Sequence, residues 1–130
     1  MERPEVGDED FLDIAKDPAR ARALRKTMQR LAESRDETLR EMAREVLAGR
    51  IGLRQAAQNG AYREALSEGA RAGMRGYEQM SAAERKAAEA EGRRQLNGYQ
   101  AEIDRERAER QGERATGRRG RTSPDRSRGR

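Results

Sequence analysis

The chain has no cysteine and no histidine, and each absence removes a class of chemistry. Without cysteine there is neither a disulfide framework nor a thiolate zinc site, and without histidine the commonest general base and metal ligand is missing. Tryptophan is absent too, and the aromatic residues reduce to Phe11, Tyr62, Tyr77 and Tyr99. No apolar run approaches the ~20 residues of a membrane span or the roughly 7–15 of a signal core, and acids stand near the N-terminus where a secretory signal carries positive charge. The expectation is a soluble, cytoplasmic protein with no membrane span, no cofactor, no metal and no small-molecule substrate.

Catalysis would have to rely on Ser, Thr, Lys or a carboxylate pair. The serines Ser34, Ser67, Ser81, Ser123 and Ser127 fall at expected caps, on exposed helix faces or in the C-terminal tail. The carboxylates alternate with arginines at helix-pair spacing, as on a solvated surface. A protein that is not an enzyme is therefore expected.

What is present is charge. Hydrophobic residues make up 33% of the 130 and charged residues 41%, near the border between a marginal helical bundle and a chain that folds with a partner. Arginine outnumbers lysine 26 to 3, a bias that GC-rich codons would also produce, and the formal net charge is +5. That charge is graded along the chain. Residues 1–17 carry seven acids against Arg3 and Lys16, whereas residues 112–130 carry seven arginines against Glu113 and Asp125. The molecule is acidic at its head and basic at its tail, a polarity suited to an anionic contact at one end.

The organising stretch is residues 17–47, DPARARALRKTMQRLAESRDETLREMAREVL. At 3.6 residues per turn, Ala21, Leu24, Met28, Leu31, Leu39, Met42 and Val46 share one side. Asp17 is an N-cap, Pro18 fits the first helical position, and Gly49 supplies a left-handed stop. Arg35 would interrupt the stripe. Ser34 with Glu37 forms a capping box and Asp36 is a second candidate cap, so helices over 18–33 and 37–48 are expected. The alternative is one long helix with the Arg35 methylenes lying along the stripe.

Phe11 in the FLDIA segment is the expected anchor of a short turn docked on that stripe. Further on, a short helix is expected over 53–58 and another over 61–79, on which Tyr62, Leu66, Gly73 and Tyr77 recur at helical spacing. Gly69, Gly73 and Gly76 share one flank of it. Each interior glycine costs roughly 0.5–1 kcal/mol against alanine, so a close approach of another backbone, in this chain or a second copy, is expected there. Ser81 with Glu84 begins the last helical stretch, 81–111, in which Ala83, Ala87, Ala90, Leu96, Tyr99 and Ile103 form a narrow seam. Bending or fraying is expected at Gly92 and at Asn97-Gly98.

The strongest functional signal is the tail. Arg114, Arg118, Arg119, Arg121, Arg126, Arg128 and Arg130, spaced by glycine and serine, suit a flexible strand that lies along phosphates and releases counterions without reading sequence. No aromatic is interleaved to stack on bases. A second signal is LRQAAQNGAYREAL at 53–66, which resembles the helix-turn-helix motif. Ala56 stands at the small position, Gly60 at the turn and Leu66 at the anchor, while Asn59 and Gly69 replace usual apolar residues. The resemblance implies that Arg63, Ser67 and Arg71 would face a DNA major groove.

The reading is an all-α protein, a small bundle of about four to five short helices. It comprises an acidic flexible arm over 1–10, a helical domain over 11–105, and a charged helix end with a disordered arginine-rich tail over 106–130. The expected core holds Leu24, Met28, Leu31, Leu39, Met42, Val46, Leu66 and Tyr77. The expected partner is DNA or RNA through the tail. The alternative is a protein adaptor or homo-oligomer that works through its helical faces while the tail only solubilises.

Overall fold

A computed structural model gives the backbone of residues 5–128 and the side chains of residues 5–116. The expectations for residues 1–4, and for the side chains of Arg118, Arg119, Arg121, Arg126, Arg128 and Arg130, lie outside the described residues. The fold is all-α. A 3-10 turn, Asp8–Phe11, runs into α1 (Leu12–Ala15), followed by α2 (Pro18–Leu31), α3 (Glu37–Leu47), α4 (Leu53–Gln58), α5 (Gly60–Gln79) and α6 (Ala82–Arg128).

The expected break at Arg35 is present. Asp36 is the cap that forms: its Oδ1 accepts from the Leu39 amide at 3.0 Å, while Ser34 Oγ accepts from the Asp36 amide at 3.0 Å and closes the turn. Asp17 caps α2 by accepting from the Arg20 amide at 2.9 Å, with Pro18 at the first helical position. Gly49 takes φ +78°, the left-handed stop after α3. The Ser81–Glu84 box forms in both directions, at 2.7 and 3.1 Å.

The core lies where the N-terminal 3-10 turn, α2, α3 and α4 converge. Phe11, at 1% exposure, and Met42, at 0%, are its largest fully buried side chains, joined by Ala21, Met28, Ala43, Val46, Leu47 and Ala56. Leu24, Leu31, Leu39, Tyr62 and Leu66 pack around this cluster partly buried. Burying a side chain the size of Phe11 stabilises by roughly 1.5–3 kcal/mol, a large share in a core so rich in alanine. The body begins nearer the N-terminus than residue 11, because the Val6 amide donates to the Leu47 carbonyl at 2.9 Å.

Two expectations need correction and a third, the close approach at the glycine flank, is narrowed. Tyr77 is not in the core: it is 37% exposed on the outer half of α5, where its hydroxyl donates to Glu89 at 2.8 Å. Only the first half of α5 reaches the body. For the same reason no backbone of this chain approaches the glycine flank, and a Cβ added at Gly69, Gly73 or Gly76 would meet nothing within 4 Å. Finally, α6 passes through Gly92, Asn97, Gly98 and Gly112 without interruption. Single glycines cost a helix only about 1 kcal/mol each, less than docking of the helix returns.

Candidate phosphate-binding face

The long helix α6 meets the body at α2. Ile103 is buried at 6% exposure, and the Lys26 ammonium lies 5.6 Å from the centre of the Tyr99 ring. Between these contacts and the N-terminal turn sits Arg22, an arginine exposed by only 9%. Its Nε donates to Asp8 Oδ2 at 2.8 Å, one terminal nitrogen donates to Glu102 Oε1 at 3.1 Å and Glu106 Oε2 at 3.0 Å, and the other donates to Glu106 Oε1 at 2.7 Å. No buried side-chain polar atom is left without a partner among the described residues.

The electrostatics follow from that geometry. The hydrogen bonds to Glu106, reinforced by those to Asp8 and Glu102, hold the Arg22 guanidinium well above its ordinary pKa in spite of burial. The Arg22 hydrogen bond in turn holds the Glu106 carboxyl below the usual carboxylate range. Burial alone would raise Asp8, but hydrogen bonds from Arg25 and Arg22 outweigh it and the net shift is downward. Arg22 thus pairs with two acids of α6 at once, and with Arg25 it sets two positive charges against the three carboxylates of Asp8, Glu102 and Glu106.

Past Ile103 the same side of α6 borders an open cleft instead of the packed core. Arg107, Arg110 and Arg114 follow at four, seven and eleven residues, so the face that begins apolar continues as a row of guanidinium groups. All three are exposed, and none forms an ion pair among the described residues. Glu109 and Glu113 stand on one flank of the row. Arg107 and Arg110 form one wall of a cleft of about 310 Å³ whose other wall carries Asp8, Glu9, Leu12 and Pro18. Of the tail arginines singled out in the sequence, Arg114 is the one whose side chain is described, and it belongs to this row.

Sequence reasoning missed Arg22, Arg107 and Arg110. The signal for the row was available, since Arg107, Arg110 and Arg114 continue the Tyr99–Ile103 register. Nothing local marks Arg22 apart from its neighbours on α2.

The helix-turn-helix expectation fares differently. Ala56 is fully buried and Leu66 packs on the core, as the motif requires. However, Asn59 is the one non-helical residue between α4 and α5, where the motif has a turn of three or four, and α4 has six residues. Ser67 is half-buried and Arg71 is paired with Glu68 at 2.7 Å, so Arg63, Ser67 and Arg71 do not form a free reading face.

Among the described residues no cluster of three or more carboxylates could hold a metal ion, and no helix is long and apolar enough to cross a membrane. Comparison with known proteins finds no matching family model, no similar curated protein and no similar solved structure.

Proposed function

We propose that this chain is a non-enzymatic helical binding protein that lays the arginine face of α6, together with the arginine-rich residues that follow Arg114, along nucleic-acid phosphates without choosing sequence. The observation that carries the reading is the row Arg107, Arg110 and Arg114, three exposed guanidinium groups on one side of α6 that form no ion pair among the described residues. Guanidinium groups on a helix that projects from a folded body meet phosphate oxygens with part of their ordering already done. The downstream arginines, Arg118, Arg119, Arg121, Arg126, Arg128 and Arg130, add charge to the same end of the chain.

The test is fluorescence anisotropy of labelled duplex DNA and RNA titrated with the full chain and with an Arg107→Gln/Arg110→Gln/Arg114→Gln variant at several salt concentrations. Loss of three phosphate contacts should flatten the slope of log affinity against log salt by about 2–3. Absence of binding by the unsubstituted chain at low salt overturns the reading. A second reading, a module that acts through protein contact, is favoured by Met74, a large apolar side chain exposed at 60% on the outer half of α5.

A further inference from the structure

Residues of α1, α2, α4 and α5 together line an open groove of about 690 Å³. Its floor is Leu24, Met28 and Leu31 of α2, which share one helix face, flanked by Ile14, Leu53 and Leu66. Met28 is buried, but Leu24, Leu31, Leu53 and Leu66 are only half-buried and Ile14 is 36% exposed, so large aliphatic groups from four helices reach water at one place. The charges at its edge are mostly of one sign. Lys16 and Arg54 line the groove, and Arg30 is held beside it, donating from its guanidinium to the hydroxyl of the lining residue Thr27 at 3.2 Å. Asp13 is the one acid in the lining and meets Arg54 at 3.7 Å. Lys16 and Arg30 form no ion pair among the described residues.

We infer that this groove receives an amphipathic helix of a partner protein, its apolar stripe on the leucines and acidic residues on its flanks. From Leu24 to Leu31 the floor runs about 10 Å along α2, which two turns of an incoming helix match with anchors at i, i+3 or i+4, and i+7. The occupant is a helix because the groove offers an extended segment little to pair with. The one uncharged polar side chain in the lining, Thr27, already donates to the Ala23 carbonyl. An extended backbone would bring unpaired amides and carbonyls into an aliphatic trough, whereas a helix satisfies its own. The flanks are acidic because Lys16 and Arg30 have no carboxylate to meet within the chain, and opposite charges across the rim fix orientation and speed encounter. No residue of α6 lines the groove, so this contact does not rest on the nucleic-acid reading.

The test selects peptides without assuming their source. A phage-displayed library of helix-forming peptides of about 16 residues is selected against the full chain. Enriched peptides are then synthesised and titrated by fluorescence anisotropy against the full chain, Ile14→Glu, Lys16→Glu/Arg30→Glu and Arg107→Gln/Arg110→Gln/Arg114→Gln. Ile14, Lys16 and Arg30 are all exposed, so their variants keep the fold, which circular dichroism checks. The enriched peptides should be acidic, with apolar residues at i, i+3 or i+4, and i+7. Ile14→Glu should weaken their binding about tenfold, as loss of an apolar anchor does. The double charge reversal should weaken it about fivefold at low salt and less at high salt. The α6 triple variant should bind as the parent chain does. Failure to enrich any peptide, enrichment of basic ones, affinity unchanged by both groove variants, or affinity lost in the α6 variant would each overturn the inference. So would a peptide-free chain that dimerises in sedimentation velocity and is dispersed by Ile14→Glu, since a second copy would then be the occupant.

Discussion

Arg22 of α2 and Glu106 of α6 form a two-bond ion pair, at 3.0 and 2.7 Å, which ties the long C-terminal helix to the body of the protein. The same guanidinium reaches Glu102 one turn earlier and Asp8 in the N-terminal turn, so one side chain joins three segments that are remote in sequence. The apolar part of this junction is thin, resting on Ile103 and the Tyr99–Lys26 contact. The ionic part therefore has a large share in setting where the arginine row of α6 lies.

Replacing Arg22 with methionine removes the charge and keeps much of the side-chain volume. At a fully buried ion pair, loss of one partner costs about 3–5 kcal/mol. Here Glu102 and Glu106 retain 43% and 45% exposure and can return to water, so a smaller loss of about 1–3 kcal/mol is expected. The urea midpoint should fall accordingly. Limited proteolysis should find new cleavage in α6 near residues 99–110, and a cleavage pattern unchanged from the parent chain would count against the tether.

The acid limb of stability should depend on the same cluster. Asp8 and Glu106 titrate below their ordinary values of 3.8 and 4.5 because arginines hydrogen-bond their ionised forms. A carboxyl with a lowered folded-state pKa stabilises the fold fully above its unfolded value, and that contribution disappears as pH falls through the folded value. Stability should thus be flat near neutrality and decline below about pH 4.5. In Arg22→Met the decline should be shallower, because Glu106 loses its main partner and Asp8 loses one of two. Urea unfolding followed by circular dichroism between neutral pH and pH 2.5 reads both curves.

Two candidate caps were visible before α3, and the structure distinguishes their roles. Asp36 accepts from the Leu39 amide inside the helix, whereas Ser34 accepts from the amide of Asp36 in the turn. Asp36→Ala should cost about 1 kcal/mol, as loss of an N-cap does. Ser34→Ala should cost less, because the hydrogen bond it removes belongs to a turn open to water. Equal losses in denaturant unfolding would contradict this division.

Helix ends were legible because local chemistry writes them: Asp17-Pro18, Asp36, Gly49 and the Ser81–Glu84 pair each act within four residues. Phe11 was legible for a different reason, as the one phenylalanine of the chain, standing in a short apolar segment just before the stripe. Arg22 was not, since its partners lie 14, 80 and 84 residues away and nothing in its neighbours records them. Tyr77 was misplaced because periodicity tells which side of a helix is apolar, not whether an element stands opposite. On α5 the pattern outlasts the body, and on α6 arginines replace the apolar residues once Ile103 has been covered.

The first part of α6, before Tyr99 reaches the body, is the segment where helix propensity alone should control opening. Gly92 and Gly98 lie inside this helix, their φ angles are not positive, and a Cβ at either would meet nothing within 4 Å. Alanine at each position should stabilise by about 0.8–1 kcal/mol, because glycine gives up more backbone freedom on folding. If this stretch opens locally, amide hydrogen exchange over residues 86–98 should slow by about fivefold for each substitution, with little change at Met42 or Val46 in the core. If the whole chain opens as one unit, both regions should slow together. No slowing at either site would mean that these residues are not helical in solution.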